Sequence, residues 1–157
     1  MNWLRKGPLA VTMTIRWKPY LRDESHSIDV DRLQPVEQAW GVRLPEAYKQ
    51  LVCRYQGMAP EPCVFDVGGA EDVFNDLLTI TPIEGRESYS VMRVYEVLAP
   101  QLPPGIFPFG RTPGGEYLCF DFRSTPDTPR VVLVTSELSI LSVANSFQAF
   151  LEGLRDG

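Results

Sequence analysis

The chain has 157 residues, of which 44% are apolar, and a formal net charge of −5. This length fits one domain, and this apolar content is enough for a hydrophobic core without metal ions or disulfides. The 14 prolines and 12 glycines interrupt the chain too often for a helical bundle, so we expect short elements joined by several loops.

The N-terminal part, residues 1–27, is predicted to be an extension that precedes the main domain. Residues 11–17 alternate between apolar and polar side chains, which favours a β-strand. Residues 18–27 are polar and contain Pro19, so we predict a loop there. No stretch of 18 consecutive apolar residues occurs, which predicts no contact with a membrane and a cytoplasmic location.

Two helices are predicted between residues 28 and 57. The first starts at Pro35, which is accepted in the first turn of a helix, and Gly41 ends it. Pro45 opens the second helix in the same way, and Gly57 is its predicted C-terminal cap. Apolar residues recur in the second helix at intervals of three and four, which indicates one buried face. They are Ala47, Tyr48, Leu51, Val52 and Tyr55.

The middle of the chain is predicted to contain two strands, residues 63–67 and 77–80. Residues 68–72, Gly-Gly-Ala-Glu-Asp, have the composition of a turn. The stretch 89–98 is rich in Val, Tyr and Leu and contains no Gly or Pro, so its composition fits either a helix or a strand. We predict a helix there.

The C-terminal third has the most regular pattern. Residues 112–115, Thr-Pro-Gly-Gly, form a predicted tight turn, because glycine adopts positive φ without strain. The alternating stretch 117–123 predicts a strand, and the valine-rich stretch 130–135 is predicted to pair with it. Residues 139–143 are predicted to add another strand.

A closing helix is predicted over residues 146–155, with Asn145 or Ser146 as its N-cap. Its apolar stripe is made of Phe147, Phe150, Leu151 and Leu154. Helices that lie before and after an antiparallel sheet predict a single-domain α+β fold: a central antiparallel sheet, N-terminal helices and a closing C-terminal helix.

The acidic charge is concentrated in one segment. Residues 56–92 contain seven acidic residues and one basic residue, whereas residues 1–55 have a net charge of +3 and residues 93–157 of −2. Nucleic-acid binding requires a basic surface, so we predict no direct contact with nucleic acid. An acidic patch would favour a basic protein partner. An ordinary solvated surface explains the same concentration of acidic residues equally well. The candidate partner-binding residues are Asp66, Glu71, Asp72, Asp76, Glu84, Glu87 and Tyr89.

Residues that usually carry enzyme or metal chemistry are sparse. The three cysteines form no CxxC pair and His26 is the only histidine, so we predict reduced thiols and no metal site. The stretch 110–115 superficially resembles a phosphate-binding loop, but Glu116 follows where a lysine is needed. Because no motif places a base beside a serine or cysteine nucleophile, we predict no cofactor and no enzymatic activity.

Three sequence motifs, taken together in their order along the chain, are typical of a known protein family. The first is Trp-Gly-Val-Arg-Leu-Pro-Glu-Ala-Tyr at 40–48, followed by Tyr-Gln-Gly at 55–57. The second runs from Phe-Pro-Phe-Gly at 107–110 through Gly-Gly-Glu-Tyr-Leu-Cys-Phe-Asp at 114–121. The third is Val-Ala-Asn-Ser-Phe-Gln-Ala-Phe-Leu at 143–151.

In this order and spacing, the stretches resemble the SUKH superfamily, named for its relation to a yeast regulator of cell-wall synthesis. The resemblance spans residues 28–154, so we take 28–157 as the SUKH-like domain. Gln56 and Glu116 stand where the family commonly has asparagine.

The resemblance implies a mixed α+β domain that works by binding another protein. Many bacterial members resemble immunity proteins, which neutralise a cognate toxin, often a nuclease. We therefore expect this chain to occlude the surface of a basic toxin. An alternative expectation is a regulatory or scaffold module for an endogenous protein, and a third is an enzyme or small-ligand binder.

Overall fold

The computed structural model describes residues 15–21 and 27–157. The strands are β1 (Arg16–Pro19), β2 (Met58–Glu61), β3 (Val64–Val67), β4 (Ala70–Val73), β5 (Asp76–Leu77), β6 (Ile106–Arg111), β7 (Tyr117–Asp121), β8 (Arg130–Val134) and β9 (Ile140–Ala144). The α-helices are α1 (Gln34–Trp40), α2 (Glu46–Tyr55), α3 (Val91–Leu98) and α4 (Phe147–Glu152). Short 3-10 helices span Val30–Leu33, Glu87–Tyr89 and Ala99–Gln101.

The helix ends follow local capping chemistry. Gly41 ends α1 at φ 69°, a left-handed conformation that glycine adopts without a Cβ penalty. The Ser90 hydroxyl caps α3 by accepting a hydrogen bond from the Arg93 amide at 3.4 Å. Ser146 caps α4 in the same way through the Ala149 amide at 3.0 Å. The prediction of a helix within 89–98 is therefore confirmed.

Five strands form one antiparallel sheet in the order β5-β6-β7-β8-β9. The predicted pairing of β7 with β8 is confirmed, with Tyr117 opposite Val134 and Asp121 opposite Arg130. Two small antiparallel sheets, β1-β2 and β3-β4, accompany it. Together with the four α-helices, these sheets confirm the predicted α+β class.

The core joins the helices to the large sheet through aromatic side chains. Tyr48 of α2 meets Phe120 of β7 with ring centroids 5.0 Å apart, and Phe147 of α4 meets the same ring at 5.7 Å. Phe109 of β6 stacks on Phe120 at 4.5 Å. Offset and edge-to-face contacts of this kind add to the free energy gained from burial, so this cluster fixes the helices on the sheet.

The acidic middle segment differs most from its prediction. The turn predicted over 68–72 is limited to Gly68 and Gly69, which have φ of 57° and 81°. Residues 70–73 form β4, which pairs with β3. Of the strand predicted over 77–80, only Leu77 lies in β5, which begins one residue earlier at Asp76. Strand β2 was not predicted.

Both termini also differ from prediction. Strand β1 continues through Pro19, so the loop predicted from residue 18 begins too early. Residues 11–14 of the predicted strand lie outside the described residues. Helix α4 ends at Glu152, before the predicted end at Arg155. No helix within the described ranges is long and apolar enough to cross a membrane.

Candidate functional site

The structure places the seven candidate residues in different environments. Three of them, Asp66, Glu71 and Asp72, lie on the β3-β4 hairpin. Asp66 and Glu71 lie opposite each other in the hairpin register. Both carboxylates bind the guanidinium of Arg155, whose Nη2 lies 2.8 Å from Glu71 Oε2. The neighbouring Asp72 is half-buried and accepts a hydrogen bond from the Val73 amide at 2.8 Å. Arg155 therefore offsets part of the negative charge of this hairpin.

Asp76 is in a different environment, because its side chain is completely buried. Its Oδ1 lies 2.9 Å from Arg111 Nη2 and 3.1 Å from Arg111 Nε. The Asn75 side-chain amide donates a further hydrogen bond to the same oxygen at 2.7 Å. Since this carboxylate does not reach the surface, Asp76 is removed from the candidate contact residues.

The pKa shifts of this ion pair follow from its burial. Burial raises the pKa of Asp76 above its ordinary value, and the hydrogen bonds from Arg111 and Asn75 counteract that rise only in part. Burial also disfavours the charge of Arg111, but hydrogen bonds and attraction from Asp76 outweigh it, so the pKa of Arg111 is raised. Arg111 therefore stays protonated.

The Arg111 guanidinium also contacts tyrosine rings at this edge of the large sheet. Its guanidinium carbon lies 4.2 Å from the ring centroid of Tyr89 and 5.9 Å from that of Tyr20. Tyr117 stands opposite Arg111 in the β6-β7 register. A guanidinium within about 6 Å of an aromatic face is attracted to it. Arg111 thus holds the positions of rings that reach the surface, of which Tyr20 is 51% exposed.

Residues 80–90, which we call the edge loop, follow β5 and return beside it. The Thr79 amide donates to the Tyr89 carbonyl at 3.0 Å, and the Val91 amide donates to the Thr79 carbonyl at 2.9 Å. These bonds close the base of the loop. A compact loop whose ends lie together is an Ω-loop, a type that is frequently functional.

The crest of the edge loop, residues 84–88, is exposed at every position. It presents Glu84 and Glu87, and Arg86 is tied down because its Nη1 donates to the Leu21 carbonyl at 3.0 Å. The Glu87 carboxylate accepts a bond from the Gly85 amide at 3.3 Å. The candidate residues that the structure brings together at the surface are therefore Glu84, Glu87 and Tyr89, with Tyr20 as an addition.

Sequence reasoning missed Tyr20 and Arg111. Tyr20 lies in a stretch predicted to be a loop, outside the acidic segment. Arg111 is 35 residues from Asp76 and directly precedes a turn, so no local pattern links it to an acidic partner. Only the pairing of β5 with β6, which sets Asp76 opposite Arg111, connects the two.

Metal binding and thiol chemistry would depend on His, Cys, Asp and Glu side chains of the described residues. Among residues 15–21 and 27–157, no three His, Cys, Asp or Glu side chains form a group that could hold a metal ion. All three cysteines are free thiols. Burial raises the pKa of the Cys119 thiol above its ordinary value, which opposes the thiolate form that a nucleophile needs. His26 lies outside the described residues.

A groove of about 1090 Å³ opens elsewhere, between the α1-α2 turn, α3 and the β7-β8 loop. Its lining includes Trp40 and Phe107, whose rings stack with centroids 4.7 Å apart. Acidic and basic side chains balance in its lining, and they are Arg43, Arg123, Glu46 and Asp127. The groove contains none of the seven candidate residues.

A family model described as the SMI1 / KNR4 family (SUKH-1) matches residues 27–153. The match includes all three stretches that resemble the SUKH superfamily and confirms that resemblance. A search of curated proteins found no match. The chain belongs to the SMI1 / KNR4 (SUKH-1) family.

Proposed function

We propose that this SUKH-1 protein binds a basic bacterial protein toxin and neutralises it by covering part of the toxin's surface. The observation that carries the proposal is the exposed crest of the edge loop, which presents Glu84 and Glu87 beside Tyr20 and Tyr89. Tyrosines are frequent anchors in protein interfaces, and exposed charges speed and select the encounter. Family membership supports this function, because toxin immunity is the role that the resemblance implies for bacterial members.

The hairpin acids have a smaller role in this proposal. Asp66 and Glu71 share the charge of Arg155, so they attract a basic partner less than two unpaired carboxylates would. Asp72 remains a candidate contact at the same hairpin. We therefore place the centre of the interface at the edge loop and the hairpin outside that centre.

The direct test is to co-express the chain with the product of the gene next to its own. One-to-one capture, together with rescue of cell growth from that product, supports toxin immunity. Capture of a product that is not toxic contradicts immunity and leaves a regulatory or scaffold module. Failure of both capture and rescue overturns the proposal for that product.

Charge reversal locates the interface. We expect Glu84→Lys combined with Glu87→Lys to slow association by about tenfold or more at low salt, because the encounter loses its electrostatic attraction. The matched control is Glu137→Lys with Glu152→Lys, which changes the net charge equally at two other exposed positions. Equal slowing in both double variants would mean that only net charge matters, and the edge loop would not be the interface.

A further inference from the structure

Gln56 is a completely buried polar residue at the point where α2 meets the edge loop. Its side chain bonds to the start of the loop. Oε1 accepts hydrogen bonds from the Ile80 amide at 2.8 Å and the Thr81 amide at 3.2 Å, and Nε2 donates to Thr81 Oγ1 at 3.1 Å. A buried carboxamide is tolerated because such bonds replace those it would make to water.

The backbone beside Gln56 joins the same parts of the fold. The Gly57 amide donates to the Leu77 carbonyl at 3.0 Å, and the Gly57 carbonyl accepts from the Leu21 amide at 2.9 Å. Gly57 has φ of +75°, and an added Cβ would lie 3.2 Å from Thr79 Cγ2. Glycine favours this close passage between α2, β5 and Leu21, because it adopts the positive φ without strain and has no Cβ to crowd Thr79.

The two amides that donate to Gln56 Oε1, those of Ile80 and Thr81, lie at the start of the edge loop. If Oε1 were removed, the amides of Ile80 and Thr81 would lose this acceptor in a largely buried place. A buried N–H without an acceptor destabilises the conformation that holds it. The far end of the loop is fixed separately, by the bonds between Thr79, Tyr89 and Val91.

We infer that Gln56 is a positioning residue that fixes the conformation of the edge loop and so presents Glu84 and Glu87 to the partner. It acts through the loop, since its own side chain is inaccessible. The inference rests on the proposed function for its link to binding, but the effect on the loop is independent of any partner.

The test compares three variants by hydrogen–deuterium exchange and by binding. Gln56→Met keeps the length of the side chain and removes every hydrogen bond, whereas Gln56→Asn keeps an uncharged carboxamide that can accept from the two amides. Gln101→Met is the matched control, because the Gln101 side chain is exposed and donates only to the Val97 carbonyl. The exchange readout is the edge loop, with the paired strands β7 and β8 as an internal reference for global stability.

We expect Gln56→Met to speed amide exchange in the edge loop by about tenfold or more while β7 and β8 stay protected. We expect it to weaken capture of the neighbouring gene product by a similar factor. Gln56→Asn should retain more of the protection and capture than Gln56→Met, and Gln101→Met should behave as the wild type.

Three results would overturn the inference. They are an unchanged edge loop in Gln56→Met, equal loss of protection in the loop and in β7-β8, and a loosened loop that still captures the partner normally. If the wild type captures nothing, the proposed function fails for that gene product, and the exchange data still decide whether Gln56 holds the loop.

Discussion

Arg111 and Arg155 both bind carboxylates of the acidic middle segment, but water surrounds one ion pair and not the other. The side chain of Arg155 is 40% exposed, and those of its partners Asp66 and Glu71 are 71% and 63% exposed. The side chain of Arg111 is 14% exposed and that of Asp76 is fully buried. The geometry also differs, since Arg111 meets one carboxylate through Nε and Nη2, whereas Arg155 meets two carboxylates through Nη2.

This difference shows that the number of acids in a segment does not tell which of them are available to a partner. Water and salt screen the exposed pair, so its formation changes the folding free energy little. The buried pair has lost its hydration, and each charge depends on the other. Burial therefore makes Asp76 a structural residue, while Glu84 and Glu87 remain on the surface.

The largest expected effect is from breaking the buried pair. Arg111→Ala leaves the Asp76 carboxylate buried without its counterion, and we expect it to lower the free energy of unfolding by about 3–5 kcal/mol. Urea denaturation followed by tryptophan fluorescence measures this loss. Arg111→Lys keeps the charge and should lose less, which provides a measurable variant if the alanine variant does not fold. A loss in Arg111→Ala no larger than in Arg155→Ala would contradict the comparison.

The Tyr48 hydroxyl tests the same principle, that burial makes a polar group depend on its partner. The Tyr48 hydroxyl is buried and has no hydrogen-bond partner among the described residues. Since Tyr48→Phe removes a desolvated group and keeps the ring contacts, we expect the free energy of unfolding to rise by about 1 kcal/mol. Tyr95→Phe is the control, because Tyr95 is half-exposed and its hydroxyl should matter less. A destabilised Tyr48→Phe variant would mean that the hydroxyl has a bonding role.

The Asp121–Arg123 pair has intermediate burial, with side chains 10% and 41% exposed. Burial raises the pKa of Asp121, but hydrogen bonds from Arg123 outweigh it and hold that pKa below its ordinary value of 3.8. This pair therefore stabilises the fold above pH 3.8, and the contribution is lost as the pH falls through the folded-state pKa.

We expect Arg123→Ala to cost about 0.5–1 kcal/mol near neutral pH, after allowance for solvent screening. The difference from the wild type should shrink as the pH falls through the lowered pKa of Asp121 in the folded state, because Asp121 then becomes protonated in both states. Urea titrations at several pH values measure this. A difference that stays constant with pH would show that Arg123 acts through packing.

The smallest effect is expected at the exposed pair. Arg155→Ala should leave the urea midpoint unchanged within error, since the carboxylates of Asp66 and Glu71 regain full hydration. The same variant makes the hairpin more negative, so it should speed association with a basic partner slightly at low salt. A clear loss of stability would show that the bridge fixes the C-terminus on β3.

Local sequence patterns were sufficient for most of the regular elements. The spacing of apolar residues and the glycine at position 41 predicted α1 and α2, and alternation predicted β7 with its partner β8. Strand β2 was not predicted, because its local sequence carries no strand pattern. It forms beside β1, where Trp17 lies opposite Pro60.

The candidate surface was predictable only in part. The sequence placed Glu84, Glu87 and Tyr89 in the acidic segment, and the structure brings them together at one edge of the sheet. The sequence could not separate these residues from Asp76, because residue type and charge do not reveal which acidic side chain is buried. It also could not include Tyr20, which lies far from the segment in sequence.

The sequence by itself determined the α+β class, the family resemblance and the concentration of acid in residues 56–92, because each depends on patterns within short windows. The tertiary structure decided which acids are exposed, which base each one meets and which residue holds the edge loop. Those outcomes depend on contacts across 24 residues for Gln56 with Ile80, 35 for Arg111 with Asp76 and 89 for Arg155 with Asp66. Burial and strand register, which belong to the whole fold, bring these side chains together.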